Sequence, residues 1–160
     1  MRLFKPILLL LLAAGGVVLA LSSFSVSPKK DYGYTPVFMK RADLKNSVSY
    51  QSGAREMKNP GKIYVKDDIN YVNERYRGVH IIDNSNPEHP RQTGFIVAPG
   101  CIDMAVKDHY IYLDNSVDLV TLDMLTWKVT ERLEDFFPEP SSPSGQTSYS
   151  NYGYVVVGWE

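Results

Sequence analysis

The stretch "YVKDDINYVNERYRGVHIID" (64–83) is answered one period later by "AVKDHYIYLDNSVDLVTLD" (105–123). Val65-Lys66-Asp67 superposes on Val106-Lys107-Asp108, and Tyr71-Val72-Asn73 on Tyr112-Leu113-Asp114, both at an offset of 41 residues. Ile81-Ile82-Asp83 superposes on Thr121-Leu122-Asp123 at an offset of 40, one loop residue having been dropped. A period of about 40 filled with short strand-like runs is the signature of propeller blades. Helical repeats of that length would carry apolar residues at three- and four-residue spacing, which these units lack.

Each unit divides into four strands. The first reads 62–67, 69–74, 78–83 and 91–98, and the second 102–108, 110–114, 118–123 and 127–134. Val, Ile, Tyr and Leu dominate them, as suits a pleated surface. Runs such as "VHII" and "YIYL" show little polar alternation, which implies sheets covered on both faces, as when blades stack. The joints are legible too. "KDD" and "KDH" place Asp at tight turns, and "DNSNPEHP" (83–90) ends the third strand with an Asx-type turn and two prolines.

Four segments follow from this pattern. Residues 1–23 form a secretory signal or an N-terminal membrane anchor, and 24–60 an extended arm with a short helix near 39–48, its buried edge made by Leu44 and Val48. Residues 61–138 form the two repeats. Residues 139–160 form a Pro/Ser-rich linker and the first strand, "YVVVGWE", of an incomplete repeat. The expected fold class is therefore all-β, with propeller-like blades of four antiparallel strands, about two blades and the start of a third, the ring not closed. A closed ring takes about four blades or more, and repeat units bury their faces only against neighbours. The expectation is that the chain is part of a longer propeller, or that something else completes the sheet.

The N-terminal segment sets the compartment. Arg2 and Lys5 precede "ILLLLLAAGGVVLAL" (7–21), and small residues at Ala20, Ser22 and Ser23 suit a cleavage site. The run is shorter than the roughly 20 residues of a spanning helix, yet Phe24 and Val26 extend it toward that length. Both a cleaved signal and an uncleaved anchor stay open, and either carries the protein beyond the cytoplasmic membrane. Phe24 stands where a lipoprotein would need its lipid-bearing cysteine, so no lipid anchor is expected.

With 17 basic and 18 acidic residues and a formal charge of -1, the chain lacks the field that nucleic-acid binding calls for. Cys101 is the sole cysteine, which excludes an internal disulfide. Its setting, "VAPGCIDMAV", reads as a small buried residue with no basic neighbour to activate it.

"NERYRGVHIIDNSNPEHP" (73–90) and "DLVTLD" (118–123) resemble the LVIVD-repeat proteins, the strand that names the family appearing here as "VHIID" and "LVTLD". "GYTPVFMKRADL" (33–44) and "NPGKIYV" (59–65) are similar to the N-terminal part of bacterial envelope members, so the resemblance spans 31–160. It implies a secreted or surface-attached β-propeller, generally longer than this chain, with no assigned reaction and no catalytic residue to carry over.

Nothing in the residues calls for a metal or other cofactor. His80, His89 and His109 lack zinc-site spacing, the repeated aspartates sit at turns, and "DNSN" lacks the spacing of a calcium loop. The candidate ligand-binding residues are Asn73, Glu74, Arg75, Tyr76 and Arg77, which crowd polar, basic and aromatic groups into one inter-strand loop. Loops on a rigid scaffold carry binding, and Arg and Tyr are favoured contact residues. The second unit has "DNSVD" at that place, so the basic-aromatic character is not part of the repeat grammar.

The function expected is a non-catalytic binding or scaffold module in the cell envelope, its partner a protein or other envelope component. Two alternatives stand beside it. One is a fragment of an envelope enzyme whose active site lies in missing blades. The other is a short protein that associates with itself through an open sheet edge.

Overall fold

The computed structural model describes residues 33–160. The N-terminal segment read as a signal or anchor lies outside them. Eleven strands, β1 Pro36–Lys40, β2 Ser49–Ser52, β3 Pro60–Lys66, β4 Ile69–Glu74, β5 Gly78–Asp83, β6 Arg91–Val97, β7 Met104–Lys107, β8 Tyr110–Asn115, β9 Asp118–Asp123, β10 Lys128–Leu133 and β11 Tyr154–Trp159, are joined by one short helix, α1 Arg41–Leu44. The fold is all-β, every strand pair is antiparallel, and none of the sheets closes on itself. Among the described residues no helix is long and apolar enough to cross a membrane.

The two look-alike segments form two sheets. β3 to β6 pair in chain order, and β2 adds to β6 as a fifth strand. β7 to β10 pair in the same order and make four. The turns are built alike: Asp67 and Asp108, at equivalent positions, adopt left-handed φ values of 52° and 55°. Aspartate is one of the few side chains that visits this region readily, because its short carboxylate bonds locally.

One face of each sheet meets the other. From the first come Tyr71, Val79, Ile81 and Ile96, and from the second Met104, Val106, Ile111, Leu113, Val120 and Leu122, all buried in a shared core. Equivalent strands β3 and β7 lie side by side along one margin. There Lys62 pairs with Asp103, Tyr64 Oη donates to the Val106 carbonyl at 2.9 Å, and Lys66 Nζ donates to the Asp108 carbonyl at 2.6 Å. At the opposite margin the rings of Tyr50 and Trp127 stack with centroids 3.8 Å apart.

The arm departs from its reading in two ways. The helix near 39–48 contracts to Arg41–Leu44, because Met39 and Lys40 belong to β1 and Ser47 Oγ bonds back to the Leu44 carbonyl at 2.8 Å. Leu44 is buried and Val48 half-buried. The first sheet also gains β2, whose polar sequence SYQS gave no strand signal; its backbone supplies the ladder that β6 would otherwise leave open. β11 finds its partner in β1, from the other end of the described chain. The resulting ribbon crosses the loop ends of both sheets, where Val37, Met39, Leu44, Val155 and Val157 enclose Val117. Ser116 Oγ donates to the Val156 carbonyl at 2.6 Å.

Candidate functional site

The β4–β5 loop carries the five candidate residues, and its backbone is held on several sides. Tyr76 N–H donates to the Cys101 carbonyl at 2.7 Å, Gly100 N–H to the Tyr76 carbonyl at 2.9 Å, and Arg75 N–H to the Asn59 carbonyl at 3.0 Å. Tyr76 sits in the left-handed region with φ 65°. Gly78, at φ 142°, is required sterically, since a Cβ there would stand 1.8 Å from the Ile96 carbonyl oxygen.

The structure divides the candidates. Asn73 and Glu74 turn inward and are buried. The Asn73 amide donates to the Gly78 carbonyl at 3.2 Å and lies 3.3 Å from Cys101 Sγ. Arg75, Tyr76 and Arg77 stay at the surface and line a pocket of about 250 Å³ with Lys58 and Trp159. The Arg75 guanidinium lies 5.7 Å from the centre of the Tyr76 ring. Tyr76 Oη donates to the Ser141 carbonyl at 2.7 Å, and Trp159 Nε1 to the Pro140 carbonyl at 2.8 Å, so the aromatic wall is anchored to the 138–141 segment.

The charge around this pocket is mostly positive. Lys58 pairs with exposed Glu56 at 3.1 Å, and Glu160 also lines the cavity. Arg75 and Arg77 form no ion pair with a carboxylate among the described residues. A guanidinium beside an aromatic wall is suited to a carboxylate or phosphate group, which it meets with a fork of donors.

A second polar cluster escaped the sequence reading. Arg55 N–H donates to Gln92 Oε1 at 2.5 Å, so the Gln92 amide nitrogen faces and donates to His80 Nδ1. His80 Nε2 then donates to Glu74 Oε2 at 2.8 Å. The same carboxylate accepts the N–H of Lys58 at 3.1 Å and of Asn59 at 2.8 Å. This chain of bonds ties segment 53–59 across the open face of the first sheet, where the Arg55 guanidinium rests 4.3 Å from the Phe95 ring centre. Strand alternation places Val72, Glu74 and His80 on one face, but only the crossing segment shows why polar groups are buried there.

Cys101 is buried, in keeping with its apolar setting. Burial, followed by the nearby Asp114 carboxyl, pushes its thiol well above the usual value. Among the described residues no three His, Cys, Asp or Glu side chains converge as metal ligands would. The chain matches no protein-family model, no curated protein and no solved structure.

Proposed function

We propose that the chain is an exported, non-catalytic binding module of the cell envelope, built from LVIVD-like propeller blades that hold the Arg75–Arg77 loop as a recognition surface. One observation carries this reading. Two units offset by 41 residues fold into antiparallel meanders that stack face to face with equivalent strands β3 and β7 adjacent, as neighbouring blades do. The loop stands on that scaffold with the N–H groups of Arg75, Tyr76 and Arg77 all bonded, so its side chains meet a ligand with little ordering left to do. The ligand class is an envelope component bearing a carboxylate or phosphate, engaged by Arg75, Arg77 and Lys58 against Tyr76 and Trp159. The His80–Glu74 pair has no route to a substrate from its buried position and serves the fold.

The test uses the full chain on isolated envelope fractions. Wild type is expected to be retained, and the Arg75→Ala/Arg77→Ala variant to lose about tenfold or more in affinity, about 1.4 kcal/mol or more, with its melting temperature unchanged. Equal retention of both proteins would remove the loop from the reading. The N-terminal mass of the exported chain decides between a cleaved signal and an anchor that keeps Met1.

A further inference from the structure

The repeat that stacks the two sheets also makes copies of both halves of their interface, and most of those copies lie on open faces. Shifting the covered face of the first sheet by 41 residues carries Ile69 to Tyr110 and Tyr71 to Tyr112, and a shift of 40 carries Val79 to Leu119. All three lie on the open face of the second sheet, Leu119 beside the exposed Leu133, and Tyr112 and Leu119 line a groove of about 470 Å³ walled by Phe137 and Pro138. In the reverse direction, Met104, Val106 and Leu113 on the covered face of the second sheet correspond to Ile63, Val65 and Val72. Ile63 and Val65 are 65% and 63% exposed on the open face of the first, whereas Val72 beside them is buried. The polar latch is copied as well. Lys66 reaches the Asp108 carbonyl inside the molecule, and its counterpart Lys107 and the matching turn at Asp67 are both exposed.

We infer that the open face of the second sheet receives the open β3 face of a second copy, head to tail, repeating between molecules the contact made within one. Segment 53–59 covers the rest of the first sheet's open face as far as Glu74 of β4, and Val72 is buried, so β3 is the strand seated. A copy of the chain fits better than an unrelated partner because each open face corresponds to one half of an interface the molecule already makes with itself. Two different patches meeting in this way give a heterologous contact, which propagates in a line or closes into a ring. The inference rests on the stacked-blade reading of the previous subsection.

Sedimentation of the full chain, in mild detergent so that the apolar run 7–21 does not itself drive association, tests it. Wild type is expected to gain mass as concentration rises. Ile63→Glu/Val65→Glu blocks one face, Ala105→Glu/Leu133→Glu blocks the other, and all four positions are exposed, so both variants should keep the native circular dichroism spectrum. Each variant alone should be monomeric, and an equimolar mixture should form a heterodimer, since each keeps the face the other has lost. Should a double variant lose its spectrum, Ile63→Glu and Leu133→Glu replace it. A wild type that stays monomeric, variants that still self-associate, or a mixture without heterodimer would overturn the inference. A folded monomer that still binds envelope fractions leaves the proposed function standing. Association without envelope binding removes only the latter.

Discussion

His80 Nε2 stands 2.8 Å from Oε2 of Glu74, and neither side chain reaches solvent. Burial raises the Glu74 carboxyl, but the bonds from His80 and from the Asn59 and Lys58 N–H groups outweigh it, so the group ionises below its ordinary value. A carboxylate depressed in the folded state contributes stability that is complete above its unfolded value, about 4.3, and is lost as pH falls through the folded one. Melting temperature should therefore drop as pH falls below about 4.3, and Glu74→Gln should flatten that limb. Thermal melts from neutral to acid pH check it; parallel curves for the two proteins would contradict the assignment. Glu74→Ala, which leaves the buried His80 Nε2–H without its acceptor, should cost about 1–3 kcal/mol at neutral pH.

Asp118 holds the arm to the second sheet. Its buried carboxylate lies 2.6 Å from Arg41 of α1 and 2.6 Å from Arg132 of β10, and it accepts the Asp135 N–H at 3.1 Å. Asp118→Ala leaves Arg132 without its carboxylate partner, while Arg41 keeps Asp135 at 3.2 Å, and should cost about 3 kcal/mol. Limited proteolysis should then cut first within 33–48. A variant cut no faster there than wild type would place the arm's anchorage elsewhere.

The matched turns at Asp67 and Asp108 give a test of repeat equivalence. Alanine at either position should cost up to about 1 kcal/mol, because it keeps the Cβ that positive φ penalises and loses the short carboxylate that makes this conformation accessible. Glycine should stay within about 0.5 kcal/mol of wild type. Chemical denaturation of the four variants reads this directly, and unequal effects at the two sites would break the correspondence.

Cys101 should be inert in the native chain. Burial and the neighbouring Asp114 keep its thiol protonated at pH 8. A chromogenic disulfide reagent should release colour only after urea unfolds the chain. Stoichiometric reaction with native protein would show that the β6–β7 link opens.

The strands of the two units were legible because their signals are local. Runs of β-branched and aromatic side chains and Asp-bearing turns lie within a few residues of one another, and β4, β5 and β9 run over the residues read for them. The Arg-Tyr-Arg loop was legible as a break in the repeat, but not the inward turn of Asn73 and Glu74. That turn depends on Cys101 and on segment 53–59, which are remote in the chain.

By itself the amino-acid order determined that the described chain is built of short antiparallel strands, since β-branched runs and turn chemistry act between near neighbours. Only the tertiary structure decided that β2 joins the first sheet, that β11 pairs with β1 and that the ribbon caps the loop ends. Those contacts join segments far apart in sequence. Their selection comes from which apolar faces and unpaired backbone groups remain once the local strands have formed.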